Sequence, residues 1–186
     1  MDLFLMDSIL KGHIPEKGRV LDVGCGEGRN GAYFINQGYE YCGVDKDASK
    51  IRLLEYLSKN TKSAEVTFLK GAIEELDFGS AYDVIIASRV LHFLESEHDF
   101  KSVWEKLKSC LKPGGVVYFA MDSAISKSFV KEREKGMYEF PDGRISFSLT
   151  ELLYKYMLEG FQELEDRKTI LYRNKRAQSF GLLRRV

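Results

Sequence analysis

The nine residues from Val20 to Gly28, Val-Leu-Asp-Val-Gly-Cys-Gly-Glu-Gly, constrain the fold of this chain most. An apolar run rich in β-branched residues ends in glycines at alternate positions. The run from Gly18 to Gly24 reads as a short buried strand. Alternating glycines let the backbone turn sharply and let a ligand lie against bare peptide. The spacing then predicts a helix over Glu27 to Gln37, stopped by Gly38, whose first turn offers unpaired N–H groups.

Strand and helix go on alternating. Tyr39 to Val44 reads as a second strand, followed by Asp45. Asp47 caps a helix to about Lys59 that places Ile51, Leu54 and Leu57 on one face. Glu65 to Leu69 reads as a third strand. Tyr82 to Ala87 reads as a fourth, apolar in its middle as when both faces are covered. A helix over Asp99 to Leu111, a turn at Lys112–Gly115 and a fifth strand over Val116 to Met121 follow. This order implies a parallel sheet with right-handed crossovers, an α/β doubly wound fold.

The last third differs. Asp122 to Phe147 reads as irregular, with a turn at Pro141-Asp-Gly143. Thr150 and Glu151 open a helix that Gly160 closes. Phe161 to Leu171 and Ala177 to Val186 read as an antiparallel pair of strands. Leu3 to Leu10 reads as a short helix. The 186 residues suit a single domain, with 1–17 as an N-terminal helical segment and 122–148 as a substrate-side insert.

Composition excludes several classes. Apolar residues are 44% and charged residues 30%, the profile of a soluble globular protein. Lys plus Arg and Asp plus Glu balance at 28 each, so no nucleic-acid or membrane partner is expected. The basic C-terminal group of Arg173, Lys175, Arg176, Arg184 and Arg185 is a solvated edge or attracts an anionic substrate. Met1 to Lys11 lacks the basic start of a secretory leader, and no apolar run approaches the roughly 18 residues of a membrane helix. Cys25, Cys42 and Cys110 are odd in number and widely spaced, which fits reduced thiols in the cytoplasm. They form no metal-ligand spacing with His13, His92 or His98, so no metal is expected. Monomer and homodimer stay equally open.

Spacing narrows the ligand. A dinucleotide fingerprint, G-x-G-x-x-G, needs a glycine where Arg29 stands, so a pyrophosphate is not the expected ligand, although a nucleoside is compatible. Asp45, after the second strand, is placed to accept hydrogen bonds from ribose hydroxyls, and a carboxylate suits a diol. Alone it reads as a helix cap or an exposed loop acid; beside the glycine loop the ribose role is favoured.

These residues resemble class I S-adenosylmethionine-dependent methyltransferases. The matching pieces run in family order: Leu21–Gly28, Gly43–Asp45, Phe68–Phe78, Tyr82–Ile86 and Leu111–Gly115. Within that class, Gly28–Asn30, Val90–Leu94, Ala120–Ser123 and Glu159–Phe161 are similar to the tellurite-resistance group and its small-molecule relatives. The resemblance implies a Rossmann-like, mostly parallel seven-stranded sheet with an antiparallel C-terminal strand. It also implies S-adenosylmethionine as cofactor, S-adenosylhomocysteine as product and a small-molecule methyl acceptor as substrate.

Roles follow from the resemblance, residue by residue. Asp22 and the loop of Gly24, Cys25, Gly26 and Gly28 would surround the methionine part of the cofactor. Arg29 and Asn30 would lie in the first turn of the next helix. Asp45, with Lys46 beside it, would hold the ribose. Ala72 and Ile73 would border the adenine, while Ser88 and Arg89 would face the amino-acid end and the methyl group. Many relatives carry Asp or Glu at the position of Ala72, where it accepts from the adenine amino group. Glu74, Glu75 or a water are the alternatives here.

For the acceptor, His92 is the candidate catalytic residue, removing a proton or orienting the acceptor; an ordinary packing histidine is the plain alternative. Asp122 lines the acceptor pocket or merely starts the loop. Tyr138 and Phe140 form a lid or pack locally. Phe4, Leu5 and Met6 close the pocket or pack on the sheet. The competing functions are a nicotinamide-dependent oxidoreductase, disfavoured by the glycine spacing, a non-catalytic cofactor-binding module, and a methyltransferase acting on protein or RNA.

Overall fold

The computed structural model describes residues 1–59, 65–124, 130–173 and 175–186. Strands β1 (Arg19–Val23), β2 (Glu40–Asp45), β3 (Val66–Lys70), β4 (Tyr82–Ser88) and β5 (Leu111–Asp122) pair in parallel. With β9 (Phe161–Leu171) and β10 (Ala177–Arg185) they make a seven-stranded sheet of order β3-β2-β1-β4-β5-β10-β9. β10 runs antiparallel to both β5 and β9. β1 has β2 on one side and β4 on the other, so the strand order reverses there. In open α/β sheets the crevice at such a reversal is where ligands bind.

Both faces of the sheet are covered, and β4 shows why its sequence carries no alternation. Val84 and Ile86 pack on one face with Leu5, Phe34, Tyr41, Tyr118 and Phe180. Ile85 and Ala87 pack on the other with Phe100, Trp104, Phe119 and Met157. Successive side chains point to opposite faces, so a doubly covered strand must be apolar throughout. The first face receives α1 (Leu3–Leu10) and α2 (Gly31–Asn36); the second receives α4 (Glu97–Cys110) and α5 (Glu151–Met157). The cap residues act as read from the sequence. Asp47 accepts from the Ser49 N–H at the start of α3 (Ala48–Ser58), and Thr150 accepts from the Leu153 N–H at the start of α5. No helix among the described residues is long and apolar enough to cross a membrane.

The structure departs from the sequence expectations in four places. α2 begins at Gly31 rather than at Glu27. Gly24, Gly26 and Gly28 all hold positive φ (71°, 58° and 76°), which a right-handed helix cannot contain. Arg29 and Asn30 therefore precede the helix instead of forming its first turn. On α3, Ile51 and Leu54 are buried but Leu57 is 59% exposed. Six residues past Ile51 is about 120° around the helix, off the buried stripe.

The third departure is the segment from Asp122 to Phe147. It contains an antiparallel three-stranded sheet of β6 (Lys131–Glu134), β7 (Met137–Glu139) and β8 (Ile145–Phe147). β6 is fully exposed and wholly charged, so it carries no alternation to read. The Pro-Asp-Gly turn does form, with the Gly143 N–H donating to Phe140 O at 2.9 Å. Residues 125–129 of the expected insert lie outside the described residues. Fourth, Lys112–Gly115 is not a separate turn. It is an excursion within β5, where Leu111 pairs with Tyr82 and Val116 already pairs with Val84.

Candidate active site

A cavity of about 440 Å3 opens beyond the C-terminal ends of β1, β2 and β4, at the reversal of strand order. The loop after β1 supplies Gly24, Cys25, Gly26, Glu27, Arg29 and Asn30 to its wall. Asp45 and Lys46 follow β2, and Gly71 to Glu74 follow β3. Ser88 to Val90 and Phe93 to Glu95 follow β4. Lys50 of α3 and the N-terminal Met1 and Asp2 complete it.

The floor is built by backbone. The N–H groups of Gly24 and Cys25 both donate to Val44 O, at 2.8 and 2.9 Å, which fixes the loop across the end of β2. Asp45 ties the same two elements together. Its Oδ2 accepts from the Gly26 N–H at 2.9 Å and its Oδ1 from the Asp47 N–H at 2.9 Å. Each carboxylate oxygen can take a second donor, so acceptor capacity stays open toward the cavity. A Cβ on Gly26 would have only Gly24 O near it, at 3.9 Å, so the peptide faces open space. A Cβ on Gly24 would strike Val90 at 2.6 Å.

Another part of the wall rests on Asp2. Its N–H donates to Asn30 Oδ1 at 2.9 Å, and its Oδ1 accepts from the Tyr118 hydroxyl at 2.6 Å. Its Oδ2 lies 3.4 Å from the Arg89 guanidinium. Arg89 itself sits at φ 60°, held by its N–H donating to Ala120 O at 2.7 Å. A non-glycine residue in that region is uncommon and costs on the order of 1 kcal/mol. Lys46 Nζ stands 5.9 Å from the ring centre of Phe93, which is 67% exposed.

Most residues assigned to the cofactor from the sequence lie on this wall: Gly24, Cys25, Gly26, Arg29, Asn30, Asp45, Lys46, Ala72, Ile73, Ser88 and Arg89. Asp22 and Gly28 do not; they support the loop from behind. Asp22 is buried and accepts from the Tyr41 hydroxyl at 2.8 Å. Burial pushes its carboxyl up to about 7, against the Tyr41 hydrogen bond and with help from the Asp45 charge. Gly28 packs on Leu54, which a Cβ would meet at 2.6 Å.

His92, Asp122 and Tyr138, assigned to the acceptor from the sequence, do not line this cavity. His92 lies on a 3-10 turn, Leu91–Phe93, and is 6% exposed, with Nδ1 lacking a hydrogen-bond partner among the described residues. Burial holds its pKa below the ordinary imidazole value, and the attraction of Asp122 opposes this. Asp122 is buried and accepts from Arg176 Nε at 2.7 Å, Gln178 Nε2 at 3.1 Å and Ser146 Oγ at 2.9 Å. Asp122 thus joins the ends of β5 and β10 to β8. Tyr138 packs with Phe140 and Ala124, and burial raises its phenol. Phe140 is 4% exposed, so the structure shows packing rather than an open lid. Leu5 and Phe4 pack on the sheet, with the Phe4 ring centre 4.4 Å from that of Phe180. Met6 is partly exposed.

Several wall residues carried no assignment from the sequence. Glu27 and Gly71 adjoin assigned positions and were findable by adjacency. Val90, Phe93 and Leu94 sit within a segment already matched by resemblance, and Lys50 lies one helical turn past the Asp47 cap. Met1 and Asp2 had no local signal, because only tertiary packing of α1 brings them to the cavity.

A doubly wound sheet with a cavity at its reversal point, a glycine loop after β1 and a carboxylate at the end of β2 is the architecture of nucleoside- and nucleotide-binding α/β proteins. The chain belongs to the methyltransferase-domain family, which matches residues 21–117. It is 27% identical over 117 residues to the putative methyltransferase YqeM of Bacillus subtilis, covering 62% of this chain and 47% of that protein. It is 30% identical over 112 residues to the ubiquinone biosynthesis O-methyltransferase of Rickettsia bellii, covering 60% and 45%. The match thus spans about half the length of these curated relatives. Among solved structures, TehB from Haemophilus influenzae superposes with a TM-score of 0.77 at 20% identity, covering 97% of this chain and 62% of that one. The 1,6-didemethyltoxoflavin-N1-methyltransferase of Burkholderia thailandensis, with bound 1,6-didemethyltoxoflavin and S-adenosylhomocysteine, superposes with 0.74 at 21%, covering 96% and 76%. At these identities the structural likeness speaks for the fold.

Proposed function

We propose that this protein transfers a methyl group from S-adenosylmethionine to a small-molecule acceptor and releases S-adenosylhomocysteine. The observation that carries the reading is the Asp45 carboxylate. It is bonded to the glycine loop through the Gly26 N–H and has acceptor capacity to spare beside bare peptide. The residues present fit a nucleoside thioether. A cavity of about 440 Å3 is in the range of small-molecule sites. Asp45 supplies acceptors for a diol, and Gly26 leaves room for close approach.

When bound, the cofactor supplies a methyl group on a positively charged sulfur, already activated toward nucleophiles. The chain's own residues bind, orient and exclude water. Asp45 and Lys46 hold the ribose, Ala72 and Ile73 border the base, and Gly24 to Gly26 accommodate the amino-acid part. Ser88 and Arg89 face the reacting end. Asp2, fastened to Asn30 at the end of the glycine loop and to Tyr118, and Met1 beside it close part of the cavity wall. A soft or already deprotonated acceptor attacks without a general base, which fits a cavity wall that does not include the buried His92.

The small-molecule class is supported by the structural neighbour from Burkholderia thailandensis, which holds 1,6-didemethyltoxoflavin beside S-adenosylhomocysteine. Transfer of labelled methyl groups to panels of small alcohols, amines and thiols, run beside peptide and RNA pools, tests this. Label entering only the small-molecule panel agrees with the reading. Label entering peptide or RNA alone contradicts it.

A further inference from the structure

The wall from Gly71 to Glu74 belongs to the connection between β3 and β4, which has almost no regular structure of its own. One turn forms in it, with the N–H groups of Glu75 and Leu76 both donating to Ala72 O, at 3.1 and 3.2 Å. Ile73 within this turn and Phe78 beyond it are buried in the core, which anchors the connection at two points. Carbonyls at the end of such a turn need donors from elsewhere. Here they face a single group: Lys106 Nζ, from the middle of α4, donates to Glu74 O at 2.6 Å, Leu76 O at 3.2 Å and Ile73 O at 3.3 Å. An ammonium has three donors and no acceptor, so three carbonyls satisfy it completely. The same Nζ lies 5.6 Å from the centre of the Phe78 ring. The connection is thereby pinned from behind, while Ala72, Ile73 and Glu74 present their other side to the cavity.

Position 72 carries no side-chain acceptor, which leaves the peptide groups of this turn, with the Glu74 side chain beside them, to meet a base at this wall. Their direction is set by whatever holds the turn. Resting on the cofactor reading given above, we infer that Lys106 is a positioning residue. Its ammonium fixes the Ala72–Leu76 turn so that backbone groups, rather than a carboxylate at position 72, distinguish adenine from other purines. Lys106 touches neither the cavity nor a reacting atom; it acts through the carbonyls it holds.

Calorimetric titration of the wild type, Lys106→Met and Lys106→Arg tests this. The two probes are S-adenosylhomocysteine and S-inosylhomocysteine, in which the adenine amino group is replaced by a carbonyl. Wild type should prefer the adenine compound. Lys106→Met should bind it roughly tenfold more weakly and lose most of the preference, and Lys106→Arg should restore part of both. A general loss of stability would weaken both ligands alike and leave their ratio intact. An unchanged ratio in Lys106→Met, with or without weaker binding, overturns the inference while leaving the cofactor reading in place. If Lys106→Met does not fold, Lys106→Gln, which keeps a donor, is judged by the same ratio. Failure of the wild type to bind either compound overturns the cofactor reading and this inference with it.

Discussion

Asp45 Oδ2 accepts a hydrogen bond from the backbone N–H of Gly26 at 2.9 Å, so the carboxylate at the end of β2 also fixes the loop after β1. One residue therefore sets the shape of the cavity floor and offers acceptors to what binds there. Replacing it removes both contributions. Asp45→Ala is expected to lower affinity for S-adenosylhomocysteine at least about tenfold, since hydrogen bonds to charged groups are each worth roughly 1.5–3 kcal/mol. Parallel calorimetric titrations of the variant and the wild type check this.

Gly26 and Gly28 share a positive φ but differ in what lies beside them, which separates binding from stability. A Cβ at Gly26 enters open cavity, whereas one at Gly28 strikes Leu54. Gly26→Ala should cost about 1 kcal/mol of stability from backbone strain while weakening cofactor binding by roughly tenfold or more. Gly28→Ala should cost about 2–4 kcal/mol, strain plus overpacking. Urea unfolding beside ligand titration distinguishes the two patterns.

Asp22 makes stability depend on pH. Its folded carboxyl is raised to about 7 from 3.8, chiefly by burial. Below pH 4 it is protonated whether the chain is folded or not. Between about 4 and 7 the unfolded chain releases the proton that the folded chain keeps, so this contribution to stability falls as pH rises. Above 7 both states are ionised and the loss is complete. Between pH 5 and 8 the wild type should lose about 2–3 kcal/mol that Asp22→Asn does not lose. Urea midpoints at the two pH values read the difference; equal losses in both proteins would refute it.

Asp122 is paired with Arg176 and accepts from Gln178 and Ser146. Asp122→Ala strips a buried arrangement of its acceptor and should destabilise the fold by about 2–4 kcal/mol. Because Ser146 belongs to β8, the small sheet should also loosen from β5. Amide exchange over Met137–Phe147 should quicken more than exchange over β1.

The sequence made the central strands legible because their apolar runs are short, bounded by glycine or acid, and covered on both faces. The glycine loop and Asp45 were legible because each residue type announces itself where it stands, at the end of a legible strand, although the bond that joins them spans nineteen residues. What failed was set by tertiary contacts or by backbone geometry. The start of α2 depends on the φ of Gly28. The exposed, charged β6 has no pattern to betray it. Asp2 reaches the cavity only because Leu5 and Phe4 dock α1 on the sheet. Lys106 gives no sequence signal either, since its carbonyl partners lie about thirty residues upstream. His92 follows β4 and Asp122 ends β5 as read, yet neither lines the cavity: His92 is buried, and Asp122 is bonded to Ser146 and Arg176.

The most direct test of the account is calorimetric titration of the wild-type protein with S-adenosylhomocysteine, run beside NAD. One site of micromolar affinity for the thioether and no response to NAD are expected. A folded protein that binds NAD, or that leaves S-adenosylhomocysteine unbound at millimolar concentration, would contradict it.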